Sequence, residues 1–273
     1  MSSAAQPEDR GYDRLYAEFE SPLTRRLRQE AYGKDIGQHS WTTAEELEGR
    51  LPQLRLSTAS RVLDLGCGPG GPLAFVVAHV GCHGLGIDRS IEALSAGRAR
   101  TASLEPGGLI ALVQADLNDP TPFAAGSFDA AISLDTVLHL RDRLEVFGEV
   151  KRVLVPGGRF LFTDAGVIAA SLSNDEIGMR AFHGYTQFVP PGFNERMLQL
   201  AGFHLVDRTD CTASVLKNAT GRRSARLAHQ AEIEQVEGCA NFERQQQYLE
   251  AVIGLSQRGA MSRFMYLAES PAS

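Results

Sequence analysis

The sequence predicts a doubly wound α/β fold, on three observations. First, Val62-Leu63-Asp64-Leu65 is a short apolar run holding one acid, and it turns through Gly66-Cys67-Gly68-Pro69-Gly70-Gly71 into a new helical segment. Second, the device recurs: Leu85-Gly86-Ile87-Asp88 and Ala111-Leu112-Val113-Gln114-Ala115-Asp116 are apolar stretches that each end on an acid. Third, apolar strands alternate with helical segments from residue 61 to about residue 167, the rhythm of βαβ units around a parallel sheet. Glycine tolerates positive φ and lacks a Cβ, so such a loop bends sharply and brings bare backbone against a ligand. The amides that open the next helix receive polar or anionic groups. An acid about twenty residues on, at Asp88, stands where a carboxylate grips the two hydroxyls of a ribose.

Each element follows from local punctuation. Residues 1–10 read as a frayed tail and residues 12–56 as mainly helical, with a charged segment at 24–30 and a loop at 33–40. Ser127-Phe128-Asp129-Ala130-Ala131-Ile132-Ser133-Leu134 reads as strand four and residues 142–153 as a helix. Pro156-Gly157-Gly158 turns the chain into strand five, Arg159-Phe160-Leu161-Phe162. Beyond it the rhythm breaks. Residues 169–199 are polar-aromatic and read as helical, 203–207 as strand six, 222–258 as two amphipathic helices broken near Gly238, and 262–268 as strand seven. The chain thus divides into an N-terminal helical lid (1–56), an α/β core (57–168), a cap with a helix (169–202), and strands six and seven around a helical insertion (203–273).

In these segments the chain resembles the class I S-adenosylmethionine-dependent methyltransferases. Their first motif reads Asp-x-Gly-x-Gly-x-Gly, and Asp64, Gly66, Gly68 and Gly70 fill it without a gap. The resemblance covers roughly residues 40–210 and implies a seven-stranded, mostly parallel sheet whose last strand is antiparallel. It implies S-adenosyl-L-methionine as cofactor and S-adenosyl-L-homocysteine as product, with Asp88 on the ribose, Asp116 on the adenine amino group, and further contacts from Cys67, Arg89, Leu117 and Leu134. In that family strand seven usually follows strand six through a hairpin, so the insertion at 211–262 departs from the pattern and reads as a substrate cap or as a packing or homodimer surface. A nicotinamide-binding Rossmann enzyme is the rival. It prefers Gly-x-Gly-x-x-Gly directly after the strand, whereas the third glycine here comes one position early.

Composition narrows the function classes. With 273 residues, 43% of them hydrophobic, the chain has material for a sizeable core. No apolar run approaches the roughly 18 residues of a membrane span, and the first ten residues carry neither a basic nor an apolar leader pattern, so a cytoplasmic protein without membrane contact is expected. A net charge of −6 argues against a nucleic-acid partner, because phosphate binding needs a basic face. Cys67, Cys82, Cys211 and Cys239 lack metal-ligand spacing and read as small buried thiols, with no metal expected.

The expected reaction selects the remaining candidates. A sulfonium carries a fixed charge that aromatic faces accept, and Tyr12, Tyr16 and Trp41 precede the glycine motif; the resemblance puts Trp41 at the methionine end of the cofactor, and Tyr12 and Tyr16 read as acceptor contacts. Deprotonating an amine of pKa about 10.4 at pH 7 costs roughly 4.6 kcal/mol. Ionising a water-like hydroxyl costs roughly 12 kcal/mol, so an alcohol acceptor needs a base acting during transfer while an amine needs mainly a shaped, partly dry pocket. His139, just after strand four, and Asp164, at the end of strand five, stand where ligands of doubly wound sheets bind, and sugar O-methyltransferases of similar sequence use such a pair. A backbone-satisfied histidine and a helix cap are the alternatives. His183 and Tyr185 are further acceptor contacts on the cap. The expected function is methyl transfer to a nitrogen or oxygen of a small-molecule acceptor, with a cofactor-binding scaffold without turnover as the alternative.

Overall fold

Continuous burial marks the inner strands. β1 (Arg61–Leu65) is buried at four of five positions and β4 (Phe128–Ser133) at five of six, the pattern of parallel strands covered on both faces. The computed structural model, which describes residues 10–101 and 110–271, joins them with β2 (His83–Asp88), β3 (Ile110–Gln114), β5 (Leu154–Ile168), β6 (His204–Asp210) and β7 (Met261–Glu269). The sheet has seven strands in the order β3-β2-β1-β4-β5-β7-β6. β1 to β5 pair in parallel, and β7 runs antiparallel to both β5 and β6. Because the chain leaves β1 for β2 and β3 and then returns to β4, the carboxyl ends of β1 and β4 flank a switch point where ligands bind.

Helices cover both faces. α4 (Gly71–Val80) opens straight from the glycine loop with Pro72 in its first turn and stops at Gly81. α5 (Ile91–Thr101) follows β2. α6 (Arg143–Val153) begins where the Asp142 carboxylate accepts the Glu145 amide, a cap worth about 1 kcal/mol. One face packs Leu47, Leu54, Leu73 and Val76 against Leu161 and Leu267; the other packs Phe147, Phe160, Phe162 and Tyr266, with Phe162 and Tyr266 stacked at 4.8 Å. Before β1 come α1 (Arg10–Ala17), α2 (Pro22–Tyr32) and α3 (Ala44–Arg50), the last opened by a reciprocal cap between Thr43 and Glu46.

Three expectations change in detail. β5 continues to Ile168 and stays paired with β7 through Asp164↔Phe264 before its register shifts, so Asp164 lies inside the strand rather than at its end. Residues 169–202 are only partly helical, as α7 (Asn174–Arg180) and α8 (Phe193–Leu200). Pro190 and Pro191 directly precede Gly192, the cap of α8, so α8 cannot extend back through them, since proline lacks the amide that a helix interior uses. The insertion holds three helices, not two: α9 (Thr212–Ala228), α10 (Gln230–Glu237) and α11 (Cys239–Gln257). The break at Gly238 is as expected; a second falls at His229. Cys67, Cys82 and Cys211 are buried, whereas Cys239, at the start of α11, is exposed. No helix among the described residues is long and apolar enough to cross a membrane.

Candidate active site

The loop after β1 is held to the tip of β2. Gly66 and Cys67 both donate their amides to the Ile87 carbonyl, at 2.9 and 3.0 Å, and Gly66, Gly68 and Gly70 all have positive φ. A Cβ on Gly66 would lie 2.3 Å from the Thr136 methyl, so glycine is required there for the close approach of β4's following loop. Next to Ile87, the Asp88 carboxylate accepts the Gly68 amide at 2.8 Å and the Ser90 amide at 2.9 Å. Burial raises its carboxyl above the usual range, against the pull of those amides. Asp64, at 2% exposure, is pushed up to about 8 by burial first and by the Asp88 carboxylate second. Two acids converging in a dry pocket favour a cation between them.

α1 closes over this loop. Its Asp13 accepts the Ser90 hydroxyl at 2.7 Å, and the Tyr16 hydroxyl stands 3.3 Å from where a Gly68 Cβ would be. Tyr12 is ringed by imidazoles, its ring centre 5.7 Å from His39, 5.5 Å from His139 and 5.4 Å from His183. His139 ends the short 3-10 turn Val137–His139 after β4. Its Nδ1 lies 2.7 Å from the Tyr185 carbonyl, which can only accept, so Nδ1 carries the proton. The Nε2 lone pair then takes the Tyr12 hydroxyl at 3.1 Å. Burial lowers the pKa of His139, and burial with the nearby Arg222 lowers that of His183 to about 3. Burial holds Tyr12 above the ordinary phenol range. Burial also holds His39 well below the usual imidazole range, so at neutral pH the cluster is three neutral imidazoles around an un-ionised phenol.

The residues 63–162 that build β1 to β5 match the methyltransferase domain family model. The chain is 30% identical to phosphoethanolamine N-methyltransferase 1 of Triticum aestivum over 221 residues, 78% of this chain and 43% of that protein. It is 30% identical to a glycine/sarcosine/dimethylglycine N-methyltransferase of Actinopolyspora halophila over 179 residues, 65% of this chain and 31% of that protein. The chain thus spans less than half the length of each of these relatives. Among solved structures, phosphoethanolamine N-methyltransferase 2 of Haemonchus contortus, in complex with S-adenosyl-L-methionine, superimposes with a TM-score of 0.81 at 17% identity, over 99% of this chain and 61% of that one. Residues 63–162 of the chain thus belong to the methyltransferase domain family.

The acids of the site fit S-adenosyl-L-methionine. Asp88 is aimed across the loop by the Gly68 amide, Asp116 stands exposed beyond β3 with an oxygen already fixed by the Asn118 amide at 2.9 Å, and Asp64 is a buried acid that a positive ligand group would relieve. One cavity is lined by Tyr12, Tyr16, Trp41, Asp64, Gly66, Cys67, Gly68, Asp88, Arg89, Asp116, Leu117, Leu134, His139 and His183. These are the residues singled out from the sequence, apart from Gly70, Asp164 and Tyr185. Gly70 begins α4 in the left-handed region and acts through the backbone.

Three of the residues singled out from the sequence lie elsewhere than expected. Asp164 is fully buried and bound to Arg143 at 2.6 Å, to Asn194 at 2.8 Å and to the Gly166 amide at 2.8 Å. With three donors on its carboxylate and its side chain outside the lining of the cavity, it ties β5 to α6 and α8. The Tyr185 ring is 43% exposed and faces Arg141; its carbonyl, not its phenol, enters the site by orienting His139. Tyr16 lies against the glycine loop at Gly68. Several lining residues escaped the sequence reading. Asp135, at positive φ, accepts the Trp41 amide at 2.7 Å and the Arg263 guanidinium at 2.8 Å. Arg180 and Tyr248, joined at 2.8 Å, and Arg222, 4.9 Å above the Trp41 ring, come from α7, α11 and α9. His39 lies in the loop at 33–40, two residues before Trp41, where no sequence signal pointed to its role; the cap residues likewise carried no local signal.

Proposed function

We propose that this chain transfers a methyl group from S-adenosyl-L-methionine to a nitrogen or oxygen of a small-molecule acceptor. The cofactor supplies a methyl carbon made electrophilic by its sulfonium. Asp88 and Asp116 bind its nucleoside, the glycine loop and Asp64 receive its charged end, and α1 acts as the lid that excludes water. The observation that carries the reading is the Tyr12–His139 pair, whose tautomer is set by the Tyr185 carbonyl. The acceptor N–H or O–H donates to the Tyr12 oxygen while the Tyr12 proton passes to His139 Nε2, so the proton leaves as the new bond to carbon forms. Positioning of the nucleophile by the closed cavity contributes up to about 7–11 kcal/mol. The amine acceptors named for the wheat and Actinopolyspora relatives are consistent with the arginines beside the cavity, which disfavour a protonated amine and keep the nucleophile neutral.

The test is an untargeted search for metabolites that gain a methyl group, followed by His139→Ala on the acceptor found. For an alcohol, kcat should fall about 10²–10⁴-fold while cofactor affinity is unchanged. For an amine the loss should be smaller and should shrink as pH rises, because solvent then supplies the neutral nucleophile. Wild-type rates from His139→Ala and Tyr12→Phe across pH 6 to 9 would remove the relay. Cofactor binding without any S-adenosylhomocysteine formation would make the chain a binding scaffold.

A further inference from the structure

Beneath the helical cap lies a second chamber that the methyl-transfer step does not use. Its volume is about 890 Å³, within the roughly 300–1,000 Å³ of small-molecule sites. Leu15, Phe19, Leu23, Leu27, Phe182 and Val236 supply apolar walls from α1, α2, α10 and the segment after α7. His39, His183, Thr186 and Arg222 line this chamber and the reaction cavity alike, so the two spaces share one wall and the site continues past Tyr12. Of the other wall cations, Arg28 pairs with Asp35 and Arg226 with Glu237, while Arg244 lies over the Phe182 ring and lines this chamber but not the reaction cavity. Arg222 differs. Its guanidinium rests on Trp41, and no carboxylate pairs with it among the described residues.

We propose that the acceptor is an acidic amphiphile whose apolar body fills this chamber, whose acidic group meets Arg222 at the junction, and whose nucleophile reaches Tyr12. The proposal rests on the transferase reading of the adjoining cavity and adds the acceptor's size and charge. An apolar body suits the chamber because each methylene taken from water onto these walls is worth about a fourfold gain in affinity. An acidic group suits the junction because a guanidinium with no carboxylate partner beside two neutral imidazoles receives a carboxylate or phosphate through charge-assisted hydrogen bonds.

The straight-chain carboxylates from butanoate to dodecanoate are the probes. They are titrated into the full chain saturated with S-adenosylhomocysteine, by calorimetry and by the fluorescence of Trp41, the one tryptophan of the chain. Affinity should rise about fourfold per methylene until the chamber is full. Leu27→Trp narrows the chamber from α2, and Val236→Trp narrows it from α10 at a position 58% exposed, where the fold tolerates bulk. Both should weaken dodecanoate about tenfold or more, the worth of two methylenes, with S-adenosylhomocysteine affinity unchanged. Arg222→Gln should weaken every chain length alike and leave the slope intact. A flat ladder, or full dodecanoate affinity in both tryptophan variants, would overturn the proposal. A steep ladder in a protein that methylates nothing keeps the chamber and sinks the transferase reading. Turnover of small hydrophilic amines with a flat ladder does the reverse.

Discussion

Asp64 concentrates the electrostatic tension of the site in one residue. Its carboxyl stands at about 8 in the folded chain against about 3.9 unfolded, so between those values the folded state holds the extra proton. Stability then falls as pH rises through that window, by roughly 3–4 kcal/mol at pH 7 for a shift of this size. Asp64→Asn should therefore raise the melting temperature of the ligand-free protein, more at pH 8 than at pH 5. The same change should weaken S-adenosylmethionine, because it removes the charge that a positive ligand end relieves. Melting curves at the two pH values, paired with cofactor titrations, test both; a variant equal to wild type in each would show the carboxylate to be idle. Asp64, Gly66, Gly68 and Asp88 were legible because motif spacing translates directly into a strand tip and a loop. Asp164 was expected at the end of its strand because the sequence did not reveal that β5 runs on past it to Ile168.

At the scale of elements, α1 decides whether the site is open or closed. An eight-residue helix does not persist alone in water, so its order comes from the Asp13 bond to Ser90, the Tyr12 bond to His139, and Tyr16 on the loop. Each of these contacts falls on a site residue. Deleting residues 1–17 should leave the sheet folded, with a loss of a few degrees in melting temperature, yet weaken the cofactor about tenfold or more as the cavity opens to water. Circular dichroism and calorimetry on the truncated chain check this; unchanged affinity and turnover would show α1 to be a cover without function. α2 is a different kind of element. It carries chamber walls and its Arg28 is 6% exposed in a pair with Asp35 at 2.8 Å, so truncating through α2 would damage the fold as well as the site.

Across the whole molecule, buried ion pairs bind the non-sheet parts to the sheet. Arg143, Asp164 and Asn194 link α6, β5 and α8; Arg263 of β7 links Asp135 after β4 to Glu46 within α3 and Thr42 before it. Breaking such a pair strands a charge and costs about 3–5 kcal/mol. Asp164→Ala should thus lower the melting temperature by roughly 6–20 °C, at about 2–4 °C per kcal/mol for a chain of this size, with the rate per folded molecule preserved. Asp164→Asn is the discriminating variant: a folded, stable protein without turnover would return this residue to the chemistry.

By itself the sequence determined the doubly wound sheet, the glycine loop, the acids at the strand tips and the family, because those features depend on residues close together in the chain and on a period-two or glycine signal. His139 was legible too, since it follows β4 within a few residues. Only the tertiary structure decided how that histidine works. Its tautomer comes from the Tyr185 carbonyl, 46 positions away, and its partner is Tyr12, 127 positions away. The same holds for Arg180, Arg222 and Tyr248, which reach the cavity from α7, α9 and α11. Amphipathic helices reveal which face they bury but not against what, so the cap's chemistry appears only when packing brings its faces together.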